Sequence, residues 1–118
     1  MRFAILALLT VGAAADDLNH DKYPLFAAEM LFWGYTWEPI KVTTDDGYFL
    51  TTFHLTGRRG HDVKPDPSLN PVMLMNGLSC DATSWAGLSN DGYEPLPLRL
   101  FDAGFDVYMA ANRGTKYC

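Results

Sequence analysis

A chain of 118 residues, 48% of them hydrophobic, is long enough for one small packed domain and too apolar to be disordered. Its 14 acidic and 9 basic residues leave a net charge of −5, which argues against nucleic-acid binding because the sequence shows no basic face to neutralise phosphates. His20, His54 and His61 have neither metal-ligand spacing nor a partnering cysteine pair, so no metal and no other cofactor is expected.

The first residues read as a targeting segment. Arg2 is a minimal positive start, Phe3 to Val11 is apolar, and Ala13-Ala14-Ala15 offers the small residues a signal peptidase accepts. That run is too short to span a bilayer, and no later stretch is apolar enough to do so. Residues 1–15 are therefore expected to be a signal peptide, 16–22 a flexible start of the mature chain, and 23–118 the folded part. Entry into the secretory pathway permits a disulfide between the two cysteines, Cys80 and Cys118. Spacing alone leaves open whether they meet.

Tyr23-Pro24 opens a helical pattern, with Phe26, Met30 and Trp33 on one apolar face and Gly34 just past its end. From Glu38 to Leu55 the pattern switches to period two around Asp45-Asp46-Gly47, a strong hairpin-turn signal. His54 lies in the return strand, where a lone histidine is ordinarily structural or at the surface. Thr56 to Asn70, rich in glycine and proline, reads as a surface loop, and its Arg58-Arg59 pair as solvated.

Val72 to Met75, after Pro71, is a short apolar run that reads as a strand buried on both faces of a parallel sheet. It stops at Asn76-Gly77, where the backbone can turn sharply. Ala82 to Gly92 is polar apart from Trp85. Glu94 to Ala103 can be helical, with Pro95 and Pro97 in its first turn, and Gly104 ends it. Phe105 to Ala111 reads as a second buried strand. Strand, helix, strand makes a βαβ unit with two parallel strands. Ligands of such sheets sit beyond the carboxyl ends of the strands, where Asn76 to Cys80 and Asn112 to Lys116 should meet.

Four stretches taken together resemble the acid lipases of the α/β-hydrolase fold, the gastric and lysosomal acid lipases and their plant and fungal relatives. Glu29-Met30 followed by Trp33-Gly34-Tyr35 is similar to the opening of these lipases. Val42 to Leu50 is similar to their V-T-x-D-G-Y-x-L hairpin, and Met75-Asn76-Gly77-Leu78 with Trp85 to their H-G-L…W oxyanion loop. Leu100 to Tyr108, then Asn112 to Tyr117, resembles L-A-D-A-G-[YF]-D-V-W…N-x-R-G-x-x-[YW]-S. The likeness covers nearly all of residues 26 to 118.

The resemblance implies an α/β fold: the N-terminal portion of an α/β-hydrolase, a hairpin leading into a parallel βαβ sheet, truncated before the nucleophile elbow. It implies hydrolysis of carboxylic esters of lipids, acylglycerols or sterol esters, in lipid catabolism. A lipid ester or lipid surface is the expected partner, and an extracellular or lysosomal place the expected destination. The backbone N–H of Leu78 would be one oxyanion donor, supported by Asn76 and Gly77. Two departures stand out. Asn76 occupies the position of the family's histidine, and the chain contains no G-x-S-x-G, so the Ser-Asp-His triad is absent and the chain is expected to be inactive as it stands. The alternative is a non-catalytic secreted remnant that binds a lipid or a partner.

Overall fold

The computed structural model describes residues 22–87 and 92–117. The expected signal peptide, most of the expected flexible start, and Cys118 lie outside them. Helix α1 spans Pro24–Trp33, with proline in its first turn, where no donor is lost. Gly34 ends it at φ 79°, its N–H donating to Leu31 O. Phe26 and Met30 are buried, and Trp33 is half-buried against the core. The opposite side of α1 is apolar as well: Leu25, Leu31 and Phe32 are exposed.

The hairpin is longer than its sequence pattern. Strands β1, Tyr35–Thr43, and β2, Phe49–Arg58, pair antiparallel from Tyr35↔Arg58 to Thr43↔Phe49. A bulge falls between Thr36 and Trp37. Opposite it a Cβ on Gly57 would come within 2.8 Å of Thr36 Oγ1, so any larger residue there would force the Thr36 side chain to shift. At the turn, Gly47 takes φ 87° and donates to Thr44 O at 2.9 Å.

Strand β3, Val72–Met75, leads through a 3₁₀ turn, Ala82–Trp85, and helix α2, Leu96–Asp102, into strand β4, Val107–Ala110. β3 and β4 are parallel, and β4 joins β2 antiparallel, giving one mixed sheet of order β1-β2-β4-β3. The core is chiefly aromatic. Phe53 is stacked on Phe26 at 4.1 Å and meets Trp37, Tyr23 and Tyr117 edge-on, each such pair adding about 0.5–1.5 kcal/mol beyond its buried area.

One expectation fails. β3 is not buried on both faces: Val72 and Leu74 are half-buried, while Met73 and Met75 are 60% and 47% exposed. The reason is position. β3 is an edge strand of the four, and no described element covers the side that Met73 and Met75 face.

Candidate functional site

The parallel register Met75↔Ala110 brings β3 and β4 to an end side by side. The segments that follow, Asn76–Asp81 and Asn112–Lys116, line a cleft of about 590 Å³. The meeting expected of these two segments is therefore found at the carboxyl ends of the parallel pair.

Asn76 builds that meeting. Its Nδ2 donates to Cys80 O at 2.6 Å and Gly77 O at 3.1 Å, and its Oδ1 accepts from the Asn112 N–H at 2.9 Å. Its own carbonyl accepts from Asn112 Nδ2 at 3.4 Å. One amide thus closes the 76–80 loop on itself and fastens it to the loop after β4. Trp85 supports the same corner, its indole N–H donating to Met75 O at 3.1 Å. Asp81 then caps the 3₁₀ turn by accepting from the Thr83 N–H and hydroxyl.

Leu78 stands at the tip of this loop, 97% exposed. Among the described residues its N–H has no hydrogen-bond acceptor. Ser79 follows at φ 60°, the non-glycine residue with positive φ among those described, a conformation that costs an L-residue about 1–2 kcal/mol. Arg113, across the cleft, is held back by Asp46 at 2.5 Å and lies over Tyr48 at 4.8 Å. Among the described residues no histidine lines the cleft.

Behind the cleft the carboxyl of Glu29 is pushed from 4.5 to about 7, first by burial and then by the charge of Asp81. Its Oε2 and the Tyr117 hydroxyl are buried without a hydrogen-bond partner among the described residues.

His54 is a structural residue, as expected of a lone strand histidine, in a specific way. Nδ1 donates to Glu38 Oε1 at 2.9 Å and Nε2 to Asp106 Oδ1 at 2.8 Å, while the ring stacks on Tyr108 at 4.4 Å. Carboxylates only accept, so both contacts together need both ring nitrogens protonated. Burial lowers the pKa of the ring, but the hydrogen bonds and charges of the two carboxylates outweigh it and leave it above its usual value. This imidazolium ties β1 to β2 and to the residue that enters β4. It lies outside the residues that line the cleft.

Arg58 corrects the reading of Arg58-Arg59 as solvated. It is half-buried, paired with Asp102, 3.8 Å from Glu94 and over the Tyr35 ring at 5.2 Å. Its partners are about 40 residues away in sequence, beyond any local pattern. Separations of 16 and 52 residues hid the Glu38–His54–Asp106 bridge in the same way, whereas the Asn76–Gly77 turn announced itself.

A mixed sheet that starts with a long hairpin, enters a parallel pair and opens a cleft beyond the parallel strands is the amino-terminal architecture of an α/β-hydrolase. A family profile described as "Partial alpha/beta-hydrolase lipase region" matches residues 28–89. Triacylglycerol lipase 2 of Arabidopsis thaliana is 37% identical over 92 residues, 77% of this chain and 22% of that protein. Lysosomal acid lipase/cholesteryl ester hydrolase of Homo sapiens is 38% identical over 88 residues, 73% of this chain and 21% of its own length. Gastric triacylglycerol lipase of Rattus norvegicus is 34% identical over 88 residues, with the same coverage of 73% and 21%. The chain belongs to the acid lipase family of α/β-hydrolases and matches its N-terminal part. It spans roughly a quarter of the length of the curated relatives it matches. Among the described residues no helix is long and apolar enough to cross a membrane.

Proposed function

We propose that this chain supplies the oxyanion side of a lipid ester hydrolase, with the backbone N–H of Leu78 as one donor to the oxygen that becomes negative during acyl transfer. One observation carries the reading. The Leu78 N–H lies without a described acceptor in a loop held rigid by Asn76, beyond the carboxyl end of a parallel strand. A fixed dipole that does not reorganise during reaction typically lowers such a barrier by about 3 kcal/mol. Gly77 and Asn76 support the loop, and the amide of Asn76 does by three hydrogen bonds what the family's histidine would do by other geometry.

The nucleophile, acid and base come from outside these 118 residues, so the chain alone does not turn over esters. The substrates are carboxylic esters of lipids, in lipid catabolism. The names of the relatives, triacylglycerol lipase and cholesteryl ester hydrolase, favour acylglycerols or sterol esters. Residues 1–15 act as a signal peptide, the mature chain begins at Asp16, and its destination is extracellular or lysosomal.

The purified chain is expected to leave a short-chain p-nitrophenyl ester untouched; turnover that survives repurification would overturn the placement of the triad. Reading the message beyond Cys118 tests the rest. With an in-frame G-x-S-x-G about one strand and one helix later, Leu78→Pro in the completed protein should lower kcat by about 10²–10³ with KM little changed. A stop codon directly after Cys118 would favour the second reading, a non-catalytic secreted protein that binds a lipid or a partner. That no histidine is among the described residues lining the cleft is the observation on that side.

A further inference from the structure

A second cleft, of about 340 Å³, opens beside the first, and Lys116 lines both. Its walls are three lysine–aromatic pairs and Thr51. Lys22 stands 5.6 Å from the centre of the Tyr23 ring, Lys41 3.5 Å from that of Phe49, and Lys116 5.8 Å from that of Tyr117. These are three of the four lysines in the chain. They arrive from separate places: just before α1, the far end of β1 and the loop after β4.

The hairpin register explains the construction. Lys41 pairs with Thr51 and Thr43 with Phe49, so Lys41, Thr51 and Phe49 share the face that carries Phe53. The covered face of the sheet thus emerges at this cleft, past Tyr23 and Tyr117, with Phe49 left half exposed. No carboxylate lines it, and none of its three lysines has an ion-pair partner among the described residues. Lys64, by contrast, is paired with Asp62, Arg58 with Asp102 and Arg113 with Asp46. Three ammoniums around one cavity, unmatched among the described residues, repel one another and focus a positive potential there. The rings offset part of that cost and add an apolar wall.

We propose that this cleft binds an anionic amphiphile, its acidic head among the ammoniums of Lys22, Lys41 and Lys116 and its apolar body against Phe49. A bare anion would leave the aromatic wall unused, and a neutral amphiphile would leave the three charges unmatched. The volume is at the lower end for a small-molecule site, which suits a head and the first part of a tail. The shared chemistry is a carboxylate or phosphate head on an apolar chain, from a free acid or from an acidic lipid in a bilayer. The site goes beyond the hydrolase reading and does not depend on it, because binding is measured without turnover.

The full chain is titrated calorimetrically with dodecanoate and dodecyl phosphate below their micelle concentrations, and with acetate, inorganic phosphate and dodecyl maltoside. Both anionic amphiphiles are expected to bind at least about tenfold more tightly than the other three, and more weakly as salt is raised. The double variant Lys41→Gln/Lys116→Gln should weaken them by about tenfold or more with an unchanged circular dichroism spectrum, and Lys64→Gln by less than about twofold. Cosedimentation with phosphatidylcholine vesicles containing phosphatidylglycerol, lost in the double variant, would assign the bilayer source. Dodecanoate binding without cosedimentation would assign the free acid. Equal binding of dodecyl maltoside or of inorganic phosphate, or an unaffected double variant, would overturn the proposal.

Discussion

The hairpin half of the sheet and the parallel half are held together by different means. β1 and β2 pair over nine registered positions, and their inner face is closed by Phe26, Tyr23 and Tyr117 around Phe53. β3 and β4 pair over four positions, and the outer face of β3 is two exposed methionines. The first half is stabilised by packing, which is non-directional and strong. The second ends in loops fixed by hydrogen bonds, which are directional and weaker in net terms. The residues with a claim to chemistry belong to the second half, as expected of a rigid scaffold that presents a shaped loop.

Removing the ring of Phe53 would break the contrast at its strong end. Phe53→Ala should cost about 3–5 kcal/mol in urea unfolding, because four aromatic neighbours lose their common partner. A cost below about 1 kcal/mol would show that the core is not where the stability lies. Asn76→Ala should cost less, about 1–2 kcal/mol, and do so locally. Amide exchange should accelerate at 76–81 and 112–116 while β1 and β2 keep their protection; uniform acceleration would contradict the division into halves.

Two titrations probe the ground between the halves. The Glu29 carboxyl is raised to about 7 in the folded chain. The folded state therefore holds a proton that the unfolded chain has released, and stability falls as pH rises from about 4.5 to about 7. Glu29→Gln should flatten that window and gain about 1 kcal/mol at pH 8, once solvent screening is allowed for. The pKa of His54 is also raised, so its contribution is full below about 6.5 and is lost as pH rises through the folded value. His54→Gln should remove that slope, at a cost of roughly 0.5 kcal/mol in acid and nothing in base, because Glu38 is largely exposed. Thermal melts from pH 4 to about 9 separate the two windows, and parallel curves for wild type and either variant would refute that assignment. The smallest effect belongs to Met73→Ala, expected within about 0.5 kcal/mol because the side chain already faces solvent.

What the sequence made legible was local. Asp45-Asp46-Gly47 set the hairpin, Gly34 ended the helix, and the apolar run before Asn76-Gly77 was a strand with a turn after it. Such signals act over a few residues and survive any tertiary setting. The exposure of Met73 was not legible, because an apolar run does not say how many of its faces will be covered. Neither were the partners of His54, 16 and 52 residues away, nor the convergence of Lys22, Lys41 and Lys116, which only the folded path of the chain creates. The three hydrogen bonds of the Asn76 amide were equally out of reach. Sequence named the residue at the turn and could not say that it also holds the loop after β4.

That amide has a consequence for how the protein ages. Asn76 precedes Gly77, whose missing side chain leaves its backbone nitrogen open to attack the neighbouring amide carbon. Loss of ammonia by that route gives a cyclic imide, and hydrolysis at its side-chain carbonyl leaves a carboxylate oxygen where Nδ2 stood. The new oxygen would face Gly77 O and Cys80 O, acceptor against acceptor, where a donor stood before. One hydrolysed amide would thus push the 76–80 loop apart from within, so the shelf life of the loop is set by the chemistry of a single side chain.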